Sequence, residues 1–408
     1  MSNVNLGSSP VIAKINRLGL LMAAVGAAGL AATYLTGGEH GAERFFADYL
    51  IGFWYFAGIS VTMMFFSALQ YLARAGWSAS VRRIAENYAG MVPVMALFAL
   101  PLVANVFMHH GSIYEWTHDS AKTDPIISQK APYLNQTFFA IRMGLYVLAW
   151  FAMHRFIIGN SIKQDSAGSD ITPTRKNWKR AAPFVLLYAI TITFAAFDLL
   201  MSLEPHWFST IWGVYSFAGH FVSAITIVTI TVVVLYNNGH LREYITAEHF
   251  HDLGKLMFAF SVFWAYIAFS QYFIIWYANL PEETIYFTHR LGHGWQYFGY
   301  ALIVTHFVVP FMVLLRQDVK RKTNILIVAG IVILVSHFVD IVWIVMPAVG
   351  HHILEVEGVT LATFGWQEFT GWLFFAGIFL ILAMRNFKTN NAVAVNDPLL
   401  HESVEYHS

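Results

Sequence analysis

Cysteine is absent from the 408 residues. No disulfide, no thiolate-held iron–sulfur cluster and no covalently attached c-type haem can therefore belong to this chain, and any such centre must sit on a partner. Charge is scarce as well. Only 12% of the residues are Asp, Glu, Lys or Arg, against about 25% in an ordinary soluble domain. The formal net charge is zero, so nothing electrostatic favours nucleic acid as a partner. The sequence also offers no glycine-rich phosphate loop, no nucleophile elbow and no HExxH pattern.

Apolar residues fill the chain instead, 57% of it, with 16% aromatic. Crossing a bilayer as a helix takes roughly 20 apolar residues. Ten runs have that character: 15–36, 48–73, 90–108, 137–158, 182–203, 212–235, 255–278, 296–315, 325–347 and 366–384. The expected fold is an all-α integral membrane protein with ten transmembrane helices. The first run is long for the apolar part of a signal peptide, and Tyr34-Leu35-Thr36 makes a poor cleavage site, so it is read as a span. With ten spans both termini share one side, and that side carries all but five of the 24 basic residues. The five are Arg44, Lys122, Lys130, Arg142 and Arg290. Basic residues stay inside, so both termini are expected to be cytoplasmic. The other side carries Glu39, Glu43, Asp119, Asp124, Glu282, Glu283, Glu355 and Glu357. The longest connecting segments, 109–136 and 159–181, are too short for a core of their own. The tail after Phe387 is polar and reads as mobile.

Some features have ordinary readings. Pro93, Pro101 and Pro310 should kink their spans. Trp207, Trp212, Trp276, Tyr277 and Trp366 fit an interfacial aromatic belt. Arg242-Glu243 and Lys320-Arg321-Lys322 read as solvated charges. The pairs His109-His110 and His351-His352 lack a carboxylate at ligand spacing and are weak metal candidates.

The chain repeats itself. Asp198 lies seven residues before Pro205, and Asp340 seven before Pro347. His206 and His351 follow the two prolines. Tyr55-Phe-Ala-Gly58 in the second span answers Tyr215-Ser-Phe-Ala-Gly219 in the sixth. The unit is four helices, an even number, so the copies run parallel. The expected layout is one helix, two parallel-related four-helix bundles and one helix, with segments 1–47, 48–203, 204–347, 348–387 and 388–408.

Asp198 and Asp340 fall about two turns before their helices end, in the outer part of the membrane. A charged Asp at a helix centre costs about 3 kcal/mol on insertion scales. His220, His306 and His337 lie near mid-membrane, about 15 Å deep at helical rise. His337 and Asp340 share one helical face. Ser336, Tyr266, Ser270 and Gln271 offer further polar groups. The first bundle has fewer, namely Ser67, Gln70, Asn105 and His154. Two readings stand side by side: polar contacts that hold helices together, and a proton path, since imidazole titrates near working pH. The candidate path runs through His220, His306, His337 and Asp340 in the second bundle. In the first it passes Asp198 toward Glu204 and His206. Asp198 with His206 is also a candidate for taking protons from a quinone-type ligand. A b-type haem between His220 and His306 or His337 is an alternative, as is a stand-alone secondary transporter.

The stretch Asp198–Gly219, the stretch GKLMFAFSVFWAYIAFSQYFIIWYANLPEET (Gly254–Thr284) and the layout resemble the NrfD-like (polysulfide-reductase-like) membrane subunits. Within that family the likeness is greatest to the smaller of the two such subunits in bacterial alternative complex III, over essentially the whole chain. The resemblance implies a place in a respiratory quinol:cytochrome c oxidoreductase of the bacterial inner membrane. It implies an iron–sulfur subunit, c-type haem subunits and a second, larger NrfD-like subunit as partners. The quinol pocket is expected on that larger subunit. This chain is left to anchor, to conduct protons, or both. The corner Glu204-Pro205-His206-Trp207 and the loop Pro281-Glu282-Glu283 are expected to meet the extrinsic subunits.

Overall fold

The structure, a computed structural model, describes residues 5–108, 110–352 and 364–406. His109 and the loop carrying Glu355 and Glu357 lie outside them, as does the side chain of His352. Ten helices are long and apolar enough to cross a membrane, and they coincide with the ten apolar runs: spans 1–10 are Pro10–Thr36, Gly38–Ala73, Arg82–Val106, Gln136–Gln164, Thr172–Leu203, Trp212–Asn237, Ala247–Ala278, Gln296–Leu314, Thr323–His351 and Gln367–Thr389. The chain is a multi-pass membrane protein. Hydrocarbon offers backbone N–H and C=O groups no partner, so each crossing must be helical. The helix ends follow local chemistry. Pro10, Pro125 and Pro281 sit at or near first helical positions, where a missing N–H costs nothing. Arg74 and Asn279 adopt left-handed backbone, φ 48°, and close spans 2 and 7.

Span 2 is the central helix, its apolar core wholly buried. It packs on spans 1, 3, 4, 5, 6, 9 and 10. Each of spans 2 to 5 packs on the next, and span 5 returns to span 2; spans 6 to 9 do the same, span 9 returning to span 6. Spans 4 and 8 each contain a π-helical stretch, His154–Ile158 and Ile303–Val308. These occupy matching places in the four-helix repeat, and each holds a histidine.

Spans 1 and 10 pack tightly together. Ile12, Gly19, Gly26 and Thr33, all buried, recur every seven residues along span 1. That period keeps one stripe facing a partner helix. A Cβ on Gly26 would lie 2.2 Å from the Phe374 amide nitrogen, so this crossing is backbone against backbone, the packing that small residues permit in lipid.

Polar contacts join the chain's two ends at one face. Asn5 bridges Asn391, Ser9 bonds His240 at 3.0 Å, and Arg82 pairs with Asp397 at 2.5 Å. The tail is packed, contrary to the expectation of mobility. Ala392, Val393 and Leu400 are buried, and Ser403 bonds Ser80 at 2.8 Å. The tail supplies the counter-charge for Arg82, which explains why so polar a segment is held. Arg83 pairs with Glu86 (2.7 Å) and Asp165 (2.5 Å) in the same network. Lys320 is not solvated either: it donates to the carbonyls of Leu314, Leu315 and Arg316, capping span 8. Arg242, Glu243 and Lys322 are exposed as expected, while Arg321 pairs with Glu248. At the opposite, far face, Trp276, Tyr277 and Trp366 are exposed, but Trp207 and Trp212 are buried and belong to the core.

Candidate functional site

Spans 6, 7, 8 and 9 bring His220, His306, His337 and Asp340 together, with span 2 closing one side. His220 and His337 meet edge to face, centroids 5.1 Å apart and planes at 90°. His306 lies 6.2 Å from His337 at 87° and stacks on Trp264 at 4.0 Å. His337 Nδ1 is 3.8 Å from Asp340 Oδ2. The Asp340 carboxylate accepts from the Tyr215 hydroxyl and, at 3.2 Å, from Trp264 Nε1. All four titratable residues are buried.

Two glycines make the site. His220 fills the space over Gly58 of span 2, and His337 fills the space over Gly219 of span 6; added Cβ atoms there would lie 2.2 and 2.5 Å from the rings. These are the glycines of the repeated Phe-Ala-Gly motif. Tyr55 of the same motif lies over His337, 5.2 Å between centroids, and donates to the Leu334 carbonyl at 3.0 Å. The repeated motif therefore builds one ring-against-ring column.

His220 Nε2 is 3.1 Å from the Trp54 carbonyl, which fixes that nitrogen as the N–H. Its Nδ1, and both nitrogens of His306 and His337, have no hydrogen-bond partner among the described residues. Neutral imidazole donates through one nitrogen and accepts through the other, so rings in contact can hand a proton on by rotation. The same contact argues against a haem between His220 and His337. Ligands on opposite faces of one iron need a porphyrin's thickness between them, and His220 and His337 touch.

Toward the far face the site continues through aromatic rings. Tyr215 stacks on Trp212 at 5.5 Å. Tyr286 stacks on Trp207 at 4.2 Å and lies beneath Arg290 at 3.6 Å. Arg290 pairs with Glu204 at 2.5 Å and donates to the Ile344 carbonyl at 2.6 Å. His289 lies 3.4 Å from the other Glu204 oxygen and stacks on His351 at 4.0 Å. Burial pushes the Glu204 carboxyl up, but Arg290 and His289 outweigh it and hold it below its usual value. Glu204 thus pairs with the second group of helices, in keeping with the segment 204–347, and not with Asp198 of the first, where the candidate proton path put it.

Asp198 is set apart from this cluster. Its two oxygens accept from Arg142 Nε and Nη2 at 2.9 and 2.8 Å, and from the Tyr146 hydroxyl at 2.7 Å. Arg142 lies over the Tyr133 ring at 3.9 Å. The carboxylate in the greasy stretch is thus a bidentate ion pair. His206 takes other partners, Asp124 at 2.9 Å and Glu115 at 3.7 Å. A far-face cleft of about 290 Å³, lined by Lys130, Tyr133, Phe197, Ser202, Trp207 and Phe208 among others, lies nearby. Neither Asp198 nor His206 lines it. A quinol needs an acceptor for its protons. Asp198 is engaged by Arg142 and Tyr146 and His206 by Asp124, so the two residues do not converge on one ligand site. No group of three or more His, Asp or Glu able to hold a metal occurs among the described residues.

Of the other polar groups singled out in the sequence, Tyr266 is exposed and Ser336 donates to the Val332 carbonyl of its own helix. Sequence reasoning missed Trp264 and the pairings of Arg142 and Arg290. Arg142 was legible as a partner: it lies nearly two turns into span 4, about as far from that end as Asp198 lies from the end of span 5, its antiparallel neighbour. Asp48 and Glu368, carboxylates at the starts of spans 2 and 10, were also visible and not singled out.

No family model matches the chain, and no curated protein matches it.

Proposed function

We propose that the chain is an NrfD-like membrane subunit of a bacterial respiratory quinol:cytochrome c, or high-potential acceptor, oxidoreductase, and that its part in turnover is to anchor redox subunits and conduct protons. It carries no electron centre. Quinol oxidation belongs to the larger related membrane subunit, and electrons pass to iron–sulfur and c-type haem subunits. In this reading both termini are cytoplasmic, and spans 2–5 and 6–9 are parallel four-helix bundles related by an axis along the membrane normal. The matched packing of the two sets and their matched π-helical stretches support that arrangement.

The observation that carries the proton role is the contact series His220–His337–Asp340, with His306 beside it, buried in the middle of the chain. Three imidazoles meeting at one depth are more than helix packing requires. Asp340 takes the proton from His337. Tyr215 and Trp264 hold its oxygens, and Glu204, His289 and His351 lie at the outer exit.

The test is to purify the tagged chain from its native membrane in mild detergent and identify what accompanies it by mass spectrometry. An iron–sulfur protein, c-haem proteins and a larger related membrane subunit are expected. A stable chain recovered alone would overturn the respiratory reading in favour of a stand-alone transporter.

A further inference from the structure

The first third of span 2, with Glu368 opposite, carries a group of charges that the histidine cluster does not use, Asp48 and Glu368 buried and Arg44 partly so. The Arg44 guanidinium pairs with Glu368 of span 10. The other Glu368 oxygen accepts the Gly365 amide at 2.8 Å. Asp48, one turn beyond Arg44, is fully buried. Its nearer oxygen lies 3.8 Å from Arg44 Nε, beyond hydrogen-bond reach. Neither Asp48 oxygen has a hydrogen-bond partner among the described residues. The charges that bear on it are Glu368 and Arg44. Tyr49 turns away to the Phe98 carbonyl of span 3, 2.9 Å distant. Span 10 seals the site, since a Cβ on Gly371 would lie 1.9 Å from the Asp48 carbonyl oxygen.

Among the described residues, two carboxylates face one guanidinium here, which leaves one negative charge more than the site has positive. An ion held in such a place costs several kcal/mol, and a buried carboxyl neutralises instead. We infer that Asp48 and Glu368 hold one proton between them beside Arg44, so that spans 2 and 10 contain a proton-binding site separate from the histidine cluster. The proton comes from water and returns to it, with no bond made or broken elsewhere. Asp48 is seven residues before Tyr55, on the same helical face. The site is therefore about 10 Å along span 2 from the ring that covers His337. This inference does not depend on redox partners.

The experiment is infrared spectroscopy of the full chain in detergent, in H2O and D2O, at neutral pH. The C=O stretch of a neutral carboxylic acid is expected, shifted by deuterium. Asp48→Asn should remove one carboxyl's worth of it. Glu368→Gln should remove the same amount, because Asp48 then faces the Arg44 charge with no Glu368 carboxylate beside it and ionises. A band undiminished in Asp48→Asn overturns the site. A band lost in Asp48→Asn but kept in Glu368→Gln overturns the sharing. Circular dichroism establishes that each variant is folded, and either variant alone decides whether the band responds.

Discussion

His220 and His337 touch edge to face, and each ring occupies the space above a glycine of another helix, Gly58 for His220 and Gly219 for His337. The glycines are therefore part of the site. Gly58→Ala or Gly219→Ala should overpack it by about 1–3 kcal/mol and lower the thermal midpoint of the purified protein. Gly144→Ala is the control, since a Cβ there meets nothing within 4 Å. It should be neutral or stabilising by up to about 1 kcal/mol. Equal effects at all three positions would contradict the packing argument.

The repeated aspartates should behave differently. Asp198→Asn leaves the Arg142 charge without its bidentate partner, a loss of about 3–5 kcal/mol for a buried pair. Adding Arg142→Gln should recover much of it in a double-mutant cycle. Asp340→Asn should be far milder in stability, because Asp340 faces a hydroxyl and an indole and no Arg or Lys. Equal destabilisation by the two changes would mean the aspartates share a structural role.

All ten helices were legible because hydrocarbon demands long apolar runs, and the depths of His220, His306 and His337 followed from counting residues. Depth fixes one coordinate only. That Asp340 meets Tyr215 and Trp264, while Asp198 meets Arg142, depends on how each helix is rotated, and weak amphipathicity hides rotation when both lipid and interior are apolar. The same limit put Glu204 on the path past Asp198, since its partner Arg290, at the end of the short helix Pro281–Arg290, comes 86 residues later. The tail was misread for another reason: its polarity suits the buried arginines of span 3 as well as it suits water.

At the far face, Asp124 caps the short helix Pro125–Lys130 and bonds His206. Its carboxyl is held down to about 2, first by the Ile127 amide and then by His206. A carboxyl lowered in the fold contributes fully above its unfolded value and loses that contribution as pH falls through the folded one. Amide exchange at Ile126 and Ile127 should therefore stay slow as pH falls past 3.8 and rise only toward 2. Exchange already rising at the ordinary carboxyl value would contradict the cap.

Asp397→Ala should unseat the tail, because Arg82 then loses its 2.5 Å partner in a buried network. Limited proteolysis should cut between Thr389 and Leu400 in the variant and spare the wild-type chain. Protection in both would show that the buried Ala392–Ala394 segment holds the tail without the ion pair.

Protons are proposed to pass through the cluster in which His337 and Asp340 lie 3.8 Å apart. The most direct measurement is the number of protons released per electron by the purified complex in sealed vesicles, wild type against Asp340→Asn. The variant complex is expected to assemble with its redox centres present and to release fewer protons per electron. An unchanged ratio would remove Asp340 from the mechanism and leave the chain as an anchor.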